Sequence, residues 1–181
     1  QREQLRAFQA EPPQPETPLE IAYIGAFDPW HGLTVLIEAA ARAKARGAKV
    51  HLTVIGGGKE QTAIERTIVE TNMQAEVHLT GYLKAPQFAP LLANAEVGAS
   101  PYCGRAEYTG LKMLDYKAAG LVTLTSGENG QPDIIRHGET GWIVPPCDVN
   151  ALAEAIVTLY HAPERRRTMG QAARLEAEKL H

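Results

Sequence analysis

From residue 19 onward, short apolar runs alternate with longer stretches whose apolar positions recur every three or four residues. The run at 21–25 predicts a first strand, ending in glycine. Leu33, Leu36, Ile37, Ala40 and Ala41 then share one helical face. A second strand is predicted at 50–55, closed by Gly56, Gly57 and Gly58, and Ala63, Ile64, Thr67, Ile68 and Thr71 give a second helical stripe. The pattern continues with a strand at 77–79, a helix over 86–94, a strand at 96–99, a helix over 110–119 and a strand at 121–124. A further hydrophobic strand spans 141–144. Asp148 predicts the cap of a helix carrying Leu152, Ile156 and Leu159, and Pro163 opens a last helix.

Strands alternating with helices of these lengths argue for an α/β fold, a parallel sheet covered on both faces. Right-handed crossovers favour a doubly wound, Rossmann-like layout, in which ligands bind beyond the carboxyl ends of the strands. Residues just after strands are therefore the ones to inspect. Ahead of this pattern, residues 11–18 hold four prolines in eight positions, which excludes helix and central strand. Residues 1–18 read as a Pro-rich linker or N-terminal extension and residues 19–181 as one Rossmann-like domain. A chain opening on glutamine suggests a fragment or a processed protein.

Composition narrows the function classes. The net charge is -3 and the 18 basic residues are dispersed, which disfavours nucleic-acid binding. The densest basic run, Arg165-Arg166-Arg167, reads as a solvated helix face. No apolar run approaches the roughly 20 residues of a membrane span, and no signal-peptide core is present. Cys103 and Cys147 match no metal spacing. A disulfide between them stays open, with reduced thiols in a cytoplasmic setting the simpler reading.

Four post-strand segments stand out: 25–32, 56–59, 101–110 with the helix after it, and 126–130. Their glycines let backbone approach a ligand closely, and any one of them is equally a tight turn. Gly56-Gly57-Gly58-Lys59 is too short for a P-loop, and no G-x-G-x-x-G follows the first strand, which weakens a dehydrogenase reading. Segment 107–120 is the most informative. A helix starting near Gly110 would offer the amides of Gly110 and Leu111 to a phosphate. Asp115 would lie roughly 7 Å along the axis, its side chain leaning back toward that end. A diphosphate on the amides and a ribose diol on Asp115 fit this separation, and Glu107 could reach the group beyond. Solvated acids on a loop and a helix face remain the alternative.

These segments together resemble the C-terminal domain of GT-B-fold glycosyltransferases, in the large family that includes sucrose and glycogen synthases and many bacterial cell-surface enzymes. The resemblance runs from about residue 20 to the end. It rests on Gly25 with 31–39, on 54–58, on 77–82, on 107–120 and on 137–146. The family's paired acids stand eight positions apart, as Glu107 and Asp115 do. The resemblance implies a site for a nucleoside-diphosphate sugar, UDP- or GDP-linked, at Gly25, Gly56 and Gly57. Asp115 would hold the ribose, Glu107 would face the sugar, and Gly110, Leu111 and Lys112 would sit at the diphosphate. The base would rest near Tyr82 and Leu83. It further implies transfer with retention of configuration, no cofactor and no bound metal. The acceptor site and general base would come from an N-terminal domain outside this chain, so the isolated chain is expected to bind donor without transferring sugar. Peripheral membrane contact would run through that domain.

Two positions depart from the family pattern. Ala26 and His31 stand where an arginine and a lysine usually neutralise the leaving diphosphate. His31 is expected to stay protonated beside that anion and to act as the electrostatic catalyst, with Lys112 and Arg105 as candidate substitutes. Asp115 replaces the usual glutamate, shortening the reach by about 1.5 Å. A nucleotide-sugar epimerase and a non-catalytic nucleotide- or partner-binding module are the competing readings. Trp30 and Trp142 read as packing residues.

Overall fold

The computed structural model describes residues 17–104, 110–127 and 134–179, so most of the proline-rich stretch, together with Glu107 and Arg105, lies outside the described residues. The chain forms β1 (Leu19–Ala26), a 3-10 turn (Pro29–His31), α1 (Leu33–Ala45), β2 (Val50–Gly57), α2 (Gln61–Glu70), β3 (Val77–Gly81) and α3 (Ala85–Ala93). It continues with β4 (Val97–Ser100), α4 (Leu111–Ala118), β5 (Val122–Ser126), β6 (Gly141–Val144), α5 (Val149–Tyr160) and α6 (Pro163–Lys179).

The strands form one parallel sheet in the order β3-β2-β1-β4-β5-β6. Strand order reverses between β1 and β4, and that switch point is where such sheets open a crevice. Alternation along β1 divides its side chains between the two faces. Ile21 and Tyr23 join a core with Leu36, Ile37, Ile64, Ile156 and Leu159 from α1, α2 and α5. Ala22 packs on the other face with Leu92 and Tyr116 from α3 and α4. Burial on both sides is why the strands read as continuous apolar runs. Each fully buried Leu or Ile contributes roughly 1.5–3 kcal/mol. Asp148 caps α5 as expected, accepting from the Ala151 amide at 2.8 Å.

The position of α4 is fixed from two sides. The Tyr116 hydroxyl donates to Ala99 O at 2.9 Å and accepts from the Ile24 amide at 3.0 Å, bridging β4 and β1. Its ring occupies the space over Gly98, where a Cβ would come within 2.2 Å of it. On the far side, Lys117 is buried, donating to Ile134 O at 2.8 Å and to Glu176 at 2.6 Å.

Two expectations are corrected here. Cys103 and Cys147 are not free thiols but a disulfide. Parallel strands bring the loops after β4 and β6 to the same sheet edge, where the two Cα atoms stand 4.9 Å apart. The arginine run is not wholly solvated either. Arg166 is buried, held by Glu96 at 2.8 Å and by the carbonyls of Leu159 and Tyr160, so it ties α6 to the end of α5 and to the start of β4. Arg165 lies over the Trp142 ring at 4.7 Å, and Arg167 pairs with Glu164.

Candidate functional site

At the carboxyl edge of the sheet a crevice of about 380 Å³ opens beside the switch point. The end of β1 (Ile24, Gly25, Ala26) and the end of β2 (Ile55, Gly56, Gly57) form its floor. Tyr82, Leu83 and Phe88 supply one wall and Asp115 of α4 the other. Gly56 is required by the backbone: its φ is 139°, and a Cβ there would stand 1.9 Å from the Gly25 carbonyl oxygen. Tyr82 is 84% exposed, so its ring is available at the rim. Burial raises the Asp115 carboxyl above its usual range.

A cationic group assembles next to this floor. The 3-10 turn after β1 brings His31 Nδ1 within 2.8 Å of Ala26 O. A carbonyl only accepts, so Nδ1 carries the hydrogen and Nε2 is the nitrogen left for another partner. Lys112, in the first turn of α4, extends back to the end of β1. Its Nζ lies 4.7 Å over the Tyr23 ring and would be 2.9 Å from a Cβ placed on Gly25. Burial pushes the Lys112 ammonium down to about 8. His31 is lowered too, first by burial and then by the Lys112 charge, with the Ala26 bond and Asp28 opposing. These shifts favour neutral His31 near pH 7, and the protonated form expected from sequence needs an anion beside it.

Of the residues singled out by sequence, Gly25, Gly56, Gly57, Tyr82, Leu83 and Asp115 line the one crevice. His31 and Lys112, 81 positions apart, meet at the end of β1. Gly110 and Leu111 open α4 on the same edge but do not line the crevice. The Leu111 and Lys112 amides open that helix without an intrahelical acceptor, whereas those of Met113 and Leu114 donate to Gly110 O. Trp142 packs against the core, while Trp30 is 37% exposed and its ring stands 5.9 Å from that of His31. Sequence reasoning missed Phe88 and Tyr23. Phe88 had a usable signal, an apolar residue opening a helix right after the Tyr82-Leu83 turn; Tyr23 had none, since mid-strand aromatics read as core.

The arrangement offers an anion the Lys112 ammonium, an imidazole that protonates beside it and a helix N-terminus, and offers a hydroxylated ligand one carboxylate and glycine backbone. Comparison with known proteins agrees in kind. The family model described as glycosyl transferases group 1 matches residues 5–176. The chain is 27% identical over 146 residues to amylovoran biosynthesis glycosyltransferase AmsK of Erwinia amylovora, covering 78% of this chain and 36% of that protein. It is 30% identical over 169 residues to sulfoquinovosyl transferase SQD2 of Arabidopsis thaliana, covering 92% and 31%. The chain thus spans about a third of the length of these curated relatives. Among solved structures it superposes on Anabaena Alr3699/HepE in complex with UDP and glucose with a TM-score of 0.79 at 20% identity, covering 90% of this chain and 44% of that one. The C-terminal domain of LpcC from Francisella tularensis gives 0.79 at 17% identity, covering 89% and 85%. These superpositions establish the fold, the Rossmann-like C-terminal half of a GT-B protein.

Proposed function

This chain belongs to the glycosyl transferases group 1 family, and from that premise we propose that it is the donor-binding half of an enzyme that moves a sugar from a nucleoside diphosphate to an acceptor. One observation carries the reading: the crevice beside the switch point gathers Asp115 and the glycine floor, with Lys112 and His31 brought to the end of β1 next to it. The diphosphate sits against His31, Lys112 and the first-turn amides of α4. Asp115 takes the ribose hydroxyls, and the base lies against Tyr82 and Leu83. Glu107, outside the described residues, is assigned to the sugar on the family resemblance alone.

As the bond to the leaving group breaks, negative charge grows on the diphosphate, and fixed cations in a partly dry site stabilise that charge. His31 and Lys112 serve in this role in place of a metal, and retention of configuration enters the proposal from the family resemblance. A chelator should leave turnover of the complete enzyme unchanged. The acceptor and the general base belong to a preceding N-terminal domain, as the greater length of the relatives suggests. The half present here binds donor without transfer. Alr3699/HepE, with its bound UDP and glucose, is in keeping with a nucleotide sugar as ligand.

Thermal unfolding of the chain with UDP, GDP, ADP and dTDP in turn tests the proposal. A nucleotide at about 100 times its dissociation constant stabilises by roughly 2.7 kcal/mol, on the order of 5–10 °C in midpoint. One nucleotide should produce that shift, and Asp115→Asn should remove it. Four unshifted melting curves would sink the donor reading.

A further inference from the structure

We propose that Tyr23 is a positioning residue that assembles His31 and Lys112 into a two-cation seat for the diphosphate. The inference rests on the donor reading and adds to it the part that holds the cations in place. Tyr23 is buried in β1. Its ring lies beneath Lys112 Nζ at 4.7 Å, and its hydroxyl donates to Ala26 O at 2.7 Å. That same oxygen accepts from His31 Nδ1 at 2.8 Å. One side chain therefore touches one cation and shares an acceptor with the other.

Each contact has a physical consequence. The ring presents the negative face of its quadrupole to Lys112, holding an ammonium where burial alone would disfavour it. Two donors converging on the Ala26 carbonyl fix its direction, and with it the plane of the imidazole. His31 Nε2 is then the ring nitrogen free to meet an anion. Lys112 Nζ reaches Gly25 and His31 Nδ1 reaches the Ala26 carbonyl, and Gly25 and Ala26 both line the crevice assigned to the donor.

The charged and titratable groups facing the pair, among the described residues, come from three directions. Asp28 lies in the turn that carries His31, Lys112 arrives from α4, and the Tyr102 ring stands 6.2 Å from His31 in the loop after β4. Tyr23 faces Lys112 from β1. Burial lowers Lys112 to about 8, and burial together with the Lys112 charge lowers His31 below its ordinary value. A bound diphosphate reverses both effects. Binding then takes up protons, and affinity rises as pH falls from about 9 to about 7.

The test follows the His31 imidazole by NMR titration in the full chain, with inorganic pyrophosphate as the probe. In the wild type pyrophosphate should raise the His31 midpoint, and without any ligand Lys112→Met should raise it as well. Tyr23→Phe keeps the ring and loses the hydroxyl, so pyrophosphate should bind about fivefold more weakly with its pH dependence retained. Tyr23→Leu also loses the ring, and binding should fall by on the order of tenfold with a flattened profile between pH 7 and 9. The Phe variant and the ligand-free Lys112→Met titration keep the test decisive if the Leu variant does not fold. An unmoved His31 midpoint, or equal affinity and pH profile in wild type and Tyr23→Phe, overturns the seat. Should a nucleotide stabilise the chain while pyrophosphate leaves His31 untouched, the seat falls alone. Should pyrophosphate move His31 while no nucleotide binds, the seat stands as an anion site and the donor reading falls.

Discussion

Gly56 and Gly57 are neighbours in the same crevice floor, yet they answer to different constraints. A Cβ on Gly56 would press to 1.9 Å against backbone, the Gly25 carbonyl, which cannot swing away as a flexible side chain would. A Cβ on Gly57 would meet nothing within 4 Å. Gly56→Ala must therefore spread the ends of β1 and β2, at a cost of about 3 kcal/mol from overpacking and the unfavourable φ. It should also abolish any nucleotide-induced thermal shift, because the spread strands are the floor of the site. Gly57→Ala should leave stability within about 0.5 kcal/mol of wild type. Urea unfolding of both variants checks the contrast, and equal stabilities would mean that the strand ends have slack which the geometry denies them.

At the scale of elements, the question is how an eight-residue helix holds a lysine and an aspartate in place. A helix that short is not stable by its own propensity, so α4 depends on Tyr116 bridging β1 to β4 and on Lys117 reaching Glu176 and Ile134. Lys117→Met removes the buried donor and leaves the Ile134 carbonyl without it, while Glu176 keeps Arg136 as a partner. The expected loss is about 1–3 kcal/mol, with a smaller nucleotide shift because Lys112 and Asp115 ride on the same helix. A double-mutant cycle with Glu176→Gln should return a coupling above about 0.5 kcal/mol; additivity would mean that the pair does not anchor α4. The existence of this helix and of the other helices and strands was legible in the sequence, α6 through Pro163 rather than apolar periodicity, as was the crevice edge in the glycines that end the strands; the 3-10 turn at Pro29–His31 was not. Element ends were less so. β1 runs over Leu19–Ala26 rather than 21–25 because backbone pairing with Val50–Gly57 sets its length, and side-chain pattern does not record that pairing. The ties between elements were not legible at all. Arg166 looked like one of three solvated arginines until Glu96, 70 positions away, was seen beside it. Tyr23 looked like core, and in burial it is; its partners are what set it apart.

For the whole molecule, the cross-link and the expected setting pull in opposite directions. Cys103–Cys147 closes a chain segment of 44 positions that contains α4, β5 and β6. In the chain-entropy model a closed loop of that length stabilises by about 4 kcal/mol. The bond also fastens the loop after β4, whose Cys103 amide donates to Trp30 O at 2.7 Å beside the turn that carries His31. Reducing compartments keep such thiols open. In a cytoplasmic setting the chain would therefore have to fold, and hold its donor crevice, without that contribution. Among the described residues no helix is long and apolar enough to cross a membrane. Stability is the test of the compartment. Dithiothreitol, or Cys103→Ser combined with Cys147→Ser, should lower the melting midpoint by on the order of 10 °C. The native oxidised chain should show no thiol reactive to labelling. If the reduced chain still melts well above growth temperature and keeps its nucleotide shift, the sheet and its two cores are sufficient and the cross-link is dispensable in a reducing cell. If it unfolds near that temperature, the disulfide is part of the working fold, and a cytoplasmic setting for this domain is untenable.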